Sequence, residues 1–351
     1  MKKILITLFT AISIIVFISC ASVAQNVNSA EALNLWTDDA PAKKALIEFV
    51  EAAVDPSNPG FIPVERRIAV FDMDGTLICE TDTDYFDHTL LEYRVLEDRE
   101  YSSKASDFER YVVELMLEGN KTSSPVGGVD VEHGKAVATA FAGMTPDEFI
   151  AYIQDFKALP MPGYNGLFRG ESFYLPMIQV VKYLQANGFT VYVVSGTDRF
   201  ITRAIFYNNP LIDIPFRQII GSDVSLVATN QGDTPSLNYT FQDTDKVVIG
   251  GEFLIKNLKE NKVNAIIREI GLQPVLSFGN TTGDAAMAEY TITDNPYPSL
   301  AFMLCCDDLV RENGNEKKAS DMAALCDQYN WIAVSMKNDW TTIYGDSVTR
   351  K

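Results

Sequence analysis

The fold of this chain is decided by the stretch Arg67-Ile68-Ala69-Val70-Phe71-Asp72-Met73-Asp74-Gly75-Thr76-Leu77. Its apolar run, Ile68 to Phe71, is typical of a strand that is buried on both faces in a parallel sheet. The Gly-Thr pair predicts a turn directly after this strand. Two carboxylates one residue apart, Asp72 and Asp74, are therefore expected at the end of a buried strand, where α/β proteins bind ligands.

Two further apolar segments downstream end in polar loops. Phe189 to Val194 predicts a buried strand that ends in Ser195-Gly196-Thr197-Asp198. Val275 to Phe278 predicts another that ends in Gly279-Asn280-Thr281-Thr282-Gly283-Asp284. Helical patterns separate the strands, among them Lys262 to Ile270. Strands that alternate with helices predict an α/β fold with a doubly wound parallel sheet.

The length of the chain, 351 residues, suits one main domain that carries an insertion. After Leu77 the composition changes, and residues 79–170 are rich in Tyr, Phe, Leu and charged residues at helical spacing. We expect this segment to form a helical cap inserted after the first strand. Residues 35–78 and 171–351 then form the core domain, in which residues 307–351 are expected to complete the core.

The N-terminus has the pattern of an export signal. Met1-Lys2-Lys3 supplies a positive n-region before the largely apolar run Ile4 to Ile18. This run is shorter than the roughly 20 residues that span a bilayer, so a cleaved signal peptide over residues 1–24 is favoured over a membrane anchor.

Two cleavage sites are open within this signal. Phe17-Ile18-Ser19-Cys20 resembles a bacterial lipoprotein signal, which would place a lipid on Cys20. Ser22-Val23-Ala24 supplies the small residues that an ordinary signal peptidase prefers. Either site predicts a bacterial protein that is exported, to the periplasm or as a membrane-tethered lipoprotein, with membrane contact only through a lipid on Cys20.

The charge of the chain excludes some partners. The net charge of −18 makes nucleic acid an unexpected partner. It also repels phosphorylated molecules at long range, so an anion site must carry its own cation or backbone amides. The chain has no CxxC pair and only two histidines, His88 and His133. We therefore interpret these as polar or capping residues and do not expect a zinc site.

Taken in order along the chain, Asp72 with Asp74, Ser195 with Gly196, Lys262, and the loop from Asn280 to Asp284 resemble the four signature motifs of the haloacid dehalogenase superfamily, and specifically of its phosphatases. The resemblance covers about residues 64–305. It implies a Rossmann-like core, and the insertion resembles the cap of the phosphoserine phosphatase-like subgroup, whose secreted relatives include phosphorylcholine phosphatases.

In that family the first aspartate attacks phosphorus, so the resemblance places an aspartyl-phosphate on Asp72. Asp74 would protonate the leaving alcohol and then activate the hydrolytic water. Ser195 and the amide of Gly196 would bind a phosphate oxygen, and Lys262 would neutralise the phosphate and hold Asp72.

The resemblance also implies a Mg²⁺ cofactor, bound by an oxygen of Asp72, the main-chain carbonyl of Asp74 and the last loop. The family usually has an aspartate where this chain has Asn280. The amide oxygen of Asn280 can still bind Mg²⁺, and Asp284 is available directly or through water, so we expect a weaker or less charged metal site. Glu80 lies one position from the glutamate with which phosphoserine phosphatases bind the substrate's ammonium group, which makes it the candidate specificity residue.

The main hypothesis is an exported, Mg²⁺-dependent phosphatase that hydrolyses a small phosphorylated metabolite. A phosphomutase is a second hypothesis, because it uses the same aspartyl-phosphate but excludes water. A third is a catalytically weakened envelope lipoprotein that binds ligands on a retained fold, and only Asn280 favours it.

Overall fold

The computed structural model describes residues 29–122 and 128–351. The predicted signal peptide and Cys20 lie outside these residues, so export and lipidation stay predictions. Within the described ranges no helix has both the length and the apolar character needed to cross a bilayer.

The helices, in chain order, are α1 (Ser29–Ala32), α2 (Pro41–Val54), α3 (Phe86–Glu92), α4 (Asp107–Thr122), α5 (Val129–Ala140), α6 (Pro146–Lys157), α7 (Leu175–Ala186), α8 (Arg199–Phe206), α9 (Glu260–Glu269), α10 (Ala285–Ile292), α11 (Glu316–Tyr329) and α12 (Met336–Asp339). The strands are β1 (Ile68–Phe71), β2 (Tyr164–Asn165), β3 (Thr190–Asp198), β4 (Ile219–Ala228), β5 (Val247–Ile255), β6 (Leu276–Gly279), β7 (Leu300–Cys305), β8 (Ile332–Ser335) and β9 (Thr349–Arg350).

Seven of these strands form one sheet in the order β5-β4-β3-β1-β6-β7-β8. All neighbours are parallel except β4 and β5, which are antiparallel. The predicted α/β fold with a doubly wound, mostly parallel sheet is thereby confirmed. β1 lies at the centre, and the chain places β3 on one side of it and β6 on the other. The order of the strands therefore reverses beside β1, which opens a crevice at the carboxyl end of this strand.

Three aromatic rings support this crevice from within the sheet. The ring of Phe71 on β1 stacks on Phe278 of β6 with centroids 4.2 Å apart, and Phe278 stacks on Phe302 of β7 at 4.8 Å. All three side chains are buried. Stacked aromatic side chains contribute large buried areas, so the strand ends that carry Asp72 and Asn280 rest on a closely packed base.

β3 is longer than the sequence predicts, because it continues through Ser195 and Gly196 to Asp198. Its pairing with β4 shifts register between Val194 and Asp198, where Asp198 lies opposite Ser222. The neighbouring strand supplies hydrogen-bond partners beyond the apolar run, so the chain stays extended where the polar residues alone indicate a loop.

The insertion between β1 and α7 is helical, with α3 to α6 between residues 86 and 157. Helix α5 lies against β5: a Cβ added to Gly134 would come within 2.5 Å of the Phe253 ring. This close approach packs helix α5 of the insertion against β5, an edge strand of the sheet.

The C-terminal residues belong to the core. β8 is the edge strand of the sheet, and Trp340 packs edge-on against Trp36 with ring centroids 5.8 Å apart. The buried Glu312 accepts hydrogen bonds from the hydroxyls of Tyr164 and Tyr174 at 2.9 and 3.2 Å, and also from Tyr344. These contacts tie the last residues of the chain to the segment that returns from the insertion.

Candidate active site

A buried lysine joins three of the predicted site residues. Lys262, on the first turn of α9, is 0% exposed, and its Nζ lies 2.5 Å from Oδ1 of Asp72 and 2.6 Å from Oδ1 of Asp284. Asp72 follows β1, and Asp284 precedes α10 after β6. The fold therefore brings together groups that are separated by up to 212 positions of sequence at the carboxyl end of the central strand.

Asp72 has an unusual environment for a carboxylate. Burial and the negative charge of Asp284 raise the pKa of Asp72 to about 7, although Lys262 opposes this rise. Burial lowers the pKa of Lys262, but the charges of Asp284 and Asp72 outweigh burial and raise it above its usual value. A further cation beside Asp72 would therefore favour its ionised, nucleophilic form.

Asp74 is held from the next strand. The hydroxyl of Thr197 on β3 donates to Oδ2 of Asp74 at 2.8 Å. Oδ1 of Asp74 is also buried and has no hydrogen-bond partner among the groups that the structure describes. Burial, together with the charges of Asp87 and Asp72, raises the pKa of Asp74 well above its usual value. A carboxyl group with a raised pKa is suited to act as a general acid.

Ser195 and Gly196 lie at the end of β3, beside the residue that holds Asp74. The Ser195 hydroxyl accepts from the amide of Thr197 at 3.0 Å, and its carbonyl accepts from the Asn257 side chain at 3.0 Å. A Cβ on Gly196 would come within 2.5 Å of Leu258. The segment that leads into α9 therefore packs directly on Gly196, which explains why the position requires glycine.

In the last loop, both carboxylate oxygens of Asp284 accept hydrogen bonds from the protein. Besides the Lys262 contact of Oδ1, Oδ2 accepts from the amides of Asn280 and Thr281, each at 3.1 Å. These bonds hold the loop closed. Because both oxygens are already bonded, Asp284 would contact a metal through water rather than as a direct ligand.

Asn280 and Glu80 form a pair on either side of Gly75. Gly75 has φ +77°, and a Cβ there would meet Nδ2 of Asn280 at 1.9 Å. The Glu80 carboxylate accepts from the hydroxyl of Tyr85 at 3.1 Å, and the nearby Asn280 side chain lowers the pKa of Glu80. Burial raises the pKa of Glu80, while the positive charge of Lys318 opposes the rise. The carboxylate that the last loop lacks at Asn280 is thus present next to it, on Glu80.

The donor set at the strand ends fits Mg²⁺. Asp72 offers a carboxylate oxygen, Asp74 a main-chain carbonyl and Asn280 an amide oxygen, and Mg²⁺ prefers oxygen ligands of this kind. The amide nitrogen of Asn280 and the Glu80 side chain both lie next to Gly75. The unpartnered Oδ1 of Asp74 provides a further polar atom in the same crevice.

Sequence reasoning did not identify several residues of this region. Thr197 follows Ser195 and Gly196 directly, and its place two residues after Ser195 on a strand is a signal that both face the same side. Asp87, His133 and Lys256 line a small space between the insertion and the core, about 240 Å³ including its opening to solvent. No spacing in the sequence indicates that these three residues meet, because they come from α3, α5 and the end of β5.

The fold and the site define an α/β enzyme whose acidic residues gather at the switch point of a doubly wound sheet, under a helical insertion. Residues 69–289 match the family of haloacid dehalogenase-like hydrolases. This match covers more than half of the chain, so the chain belongs to this family and is a hydrolase of its kind. No curated protein matches the sequence significantly.

Several solved structures are similar to this chain at low identity, and the first of those described here shares its fold. A conserved, functionally unknown protein from Anaerococcus prevotii DSM 20548 is 14% identical, with a TM-score of 0.52 over 84% of this chain and 91% of that one. Cytosolic 5'-nucleotidase IIIB bound to cytidine is 12% identical, with a TM-score of 0.45 over 84% of this chain and 85% of that one. A phosphoserine phosphohydrolase-like protein from Francisella tularensis subsp. tularensis SCHU S4 is 13% identical, with a TM-score of 0.39 over 73% of this chain and 92% of that one.

Proposed function

We propose that this hydrolase is a Mg²⁺-dependent phosphomonoesterase that forms an aspartyl-phosphate on Asp72. The observation that carries the proposal is the buried Lys262 ammonium, which lies between Asp72 and Asp284 at 2.5 and 2.6 Å. A cation at this depth in an acidic protein supplies the local positive charge that a phosphate needs. Asp74, with a raised pKa and an unpartnered oxygen, is the adjacent acid.

The chemistry proceeds in two displacements. An oxygen of Asp72 attacks phosphorus, the bond from phosphorus to the ester oxygen breaks, and Asp74 gives its proton to the leaving oxygen. Asp74 then takes a proton from water, which attacks phosphorus, and the bond to Asp72 breaks with release of inorganic phosphate. Ser195, the amide of Gly196 and Lys262 bind the phosphate oxygens throughout. Mg²⁺, when bound, neutralises charge on the transferring group.

The test compares the wild type with Asp72→Asn in the presence of Mg²⁺ and p-nitrophenyl phosphate. We expect the variant to lose at least on the order of 10³-fold in kcat. Asp339→Asn is the matched control, because Asp339 is a buried aspartate outside the site that accepts from the Ser335 amide at 2.9 Å. Equal rates for wild type and Asp72→Asn would remove the proposal and favour a ligand-binding protein.

The aspartyl-phosphate intermediate and the group that accepts its phosphoryl group are tested separately. A substrate labelled in its phosphoryl group should give an acid-stable, hydroxylamine-labile phosphoprotein with the wild type and none with Asp72→Asn. Steady release of inorganic phosphate is expected from a phosphatase, whereas transfer of the label to a second position of the same metabolite would identify a phosphomutase.

The substrate we propose is a small phosphomonoester with a cationic leaving group. This rests on the position of the Glu80 carboxylate beside Asn280 and Gly75. A screen with phosphoserine, phosphocholine, phosphoethanolamine and nucleotides would test it. Glu80→Gln should raise KM for the cationic substrates and leave KM for p-nitrophenyl phosphate nearly unchanged, and an equal effect on both would contradict the role.

We also propose that the protein is exported and tethered through Cys20. The support is the sequence pattern of residues 1–24 alone. Mass spectrometry of the mature N-terminus distinguishes the outcomes: a diacylated or triacylated Cys20 supports the tether, and an unmodified N-terminus near Gln25 would indicate ordinary cleavage.

A further inference from the structure

The two histidines of the chain meet inside the insertion. His88 lies on α3 and His133 on α5, and their ring centroids are 4.3 Å apart. With Asp87 they form a buried cluster in which one ligand atom from each residue lies within 4.8 Å of the others. Since the chain has no other histidine, packing by chance is a poor explanation for two adjacent buried imidazoles.

His88 is oriented by a carboxylate. Its Nδ1 lies 2.9 Å from Oδ2 of Asp84, and Asn120 donates to the same oxygen at 2.9 Å. A carboxylate can only accept, so Nδ1 carries the proton and Nε2 is left to bind another group. Metal-binding histidines in proteins show this arrangement, in which a carboxylate holds one ring nitrogen and the metal binds the other.

His133 presents an unused nitrogen to a second carboxylate. Its Nε2 lies 3.3 Å from the main-chain oxygen of Asp87, which indicates that Nε2 carries the proton. Nδ1 is buried without a hydrogen-bond partner in the described parts of the chain, and it lies 3.8 Å from Oδ2 of Asp87. Nδ1 of His133 and Oδ2 of Asp87 thus face each other at a separation too long for a direct hydrogen bond.

This geometry suits a metal ion of the Zn²⁺ class. Zn–N and Zn–O bonds of about 2.0–2.2 Å separate two tetrahedral ligands by roughly 3.4 Å. The observed 3.8 Å between His133 Nδ1 and Asp87 Oδ2 needs a shift of only a few tenths of an ångström. Two imidazoles disfavour Mg²⁺, which prefers oxygen ligands. The cluster therefore differs in chemistry from the oxygen-rich crevice at Asp72.

We propose that Asp87, Nε2 of His88 and Nδ1 of His133 form a second metal site in this protein, for Zn²⁺ or another borderline transition-metal ion. Asp87 and His133 line the space shared with Asp198 and Lys256, which has room for about one water molecule as a fourth ligand. Lys256 is the one cation facing this space among its lining residues and opposes metal binding. The carboxylates of Asp84 and Asp87 outnumber it, and both are buried.

The site is tested by direct metal binding, which is independent of phosphatase activity. The full chain is produced without a polyhistidine tag, stripped of metal, and titrated with Zn²⁺ against a chromophoric chelator in excess Mg²⁺ that fills the oxygen site. We expect one tightly bound Zn²⁺ per chain, and an affinity loss of at least about 10-fold for His88→Gln, His133→Gln and Asp84→Asn. Unchanged affinity in both histidine variants overturns the proposal.

Cys306→Ser is the control for binding to thiols, because Cys306 is partly exposed while Cys79, Cys305 and Cys326 are buried. Its Zn²⁺ affinity should equal that of the wild type. Loss of binding in this variant would place the metal on the cysteines instead and would also overturn the proposal.

A measurement on the wild type alone covers the case in which the histidine variants fail to fold. Long-range ¹H–¹⁵N spectra resolve imidazole nitrogens individually, and this chain contains only two such rings. One equivalent of Zn²⁺ should shift Nε2 of His88 and Nδ1 of His133 to metal-bound values. Two rings that do not respond to Zn²⁺, or that respond at the opposite nitrogens, contradict the assigned site.

Discussion

Replacing Lys262 by methionine should make the stability of the protein depend strongly on pH. The substitution keeps the length of the side chain but removes the ammonium group that lies 2.5 Å from Asp72 and 2.6 Å from Asp284. Two buried carboxylates then lack their counter-charge. Removing one partner of a buried ion pair costs about 3–5 kcal/mol, and Coulomb attraction at about 4 Å and an effective dielectric constant near 20 gives a similar value, about 4 kcal/mol.

The variant can limit this cost by protonating a carboxylate. Each pH unit above the ordinary carboxyl pKa of about 3.9 makes protonation more costly by about 1.4 kcal/mol. The loss of unfolding free energy should therefore be larger near pH 9 than near pH 7, by up to about 3 kcal/mol, because each of the two pH units contributes about 1.4 kcal/mol.

The direction in which stability changes with pH follows from the pKa of Asp72, which is already raised to about 7 in the folded protein. A carboxyl group with a raised folded pKa binds more protons in the folded state, so stability decreases as the pH rises from about 4 toward 7. Removing Lys262 raises this pKa further. Below about pH 7 Asp72 is therefore protonated in both folded proteins, and the difference between wild type and variant should grow as the pH rises above 7.

The assay is urea unfolding in the presence of EDTA, followed by the fluorescence of Trp36, Trp331 and Trp340, which are buried. Lys43→Met is the matched control, because Nζ of the buried Lys43 donates to the carbonyl of Trp36 and to the exposed Asp38. Its stability loss should be the same at both pH values. A pH-independent loss for Lys262→Met would refute the ion-pair reasoning.

Three further predictions concern the crevice. Thr197→Val removes a hydrogen bond that lowers the pKa of Asp74, so the alkaline limb of the kcat/KM profile should move to higher pH, and an unmoved limb would contradict the role of Asp74 as the acid. Asn280→Asp adds a carboxylate beside Glu80, so calorimetry should show several-fold tighter Mg²⁺ binding, and an unchanged affinity would place the metal elsewhere. Gly75→Ala places a Cβ 1.9 Å from Nδ2 of Asn280 at φ +77°, so thermal or urea unfolding should show a loss of roughly 1–3 kcal/mol, and wild-type stability would show that the loop adapts freely.

Much of the fold could be predicted because its signals are local. The buried run before Asp72 and the apolar runs before Ser195 and Asn280 each carry the hydrophobicity of a central parallel strand, and each is followed by polar turn residues. The order of the motifs along the chain indicated that Lys262 and Asp284 belong with them. In the structure these residues meet at one end of the sheet.

Other features could not be predicted, because they depend on what a neighbouring strand or helix supplies. β3 continues past its apolar run since β4 offers it hydrogen bonds as far as Ser222. Aspartate is a residue type that often caps helices, and Asp39 lies just before α2. The helix nevertheless begins at Pro41 after Ala40, without a side-chain cap. Local composition is a weak guide wherever tertiary contacts can satisfy the same backbone groups.

By itself the sequence determined the strands, their alternation with helices, and the two aspartates that end the central strand, since apolar periodicity and turn residues act over a few neighbouring positions. Only the tertiary structure decided which distant side chains share one environment. It places Glu80 beside Asn280, Thr197 against Asp74, and His88 beside His133. Such pairings depend on how helices and strands pack across tens to hundreds of residues, and burial there sets pKa values and leaves polar atoms unpaired in ways that spacing along a chain does not encode.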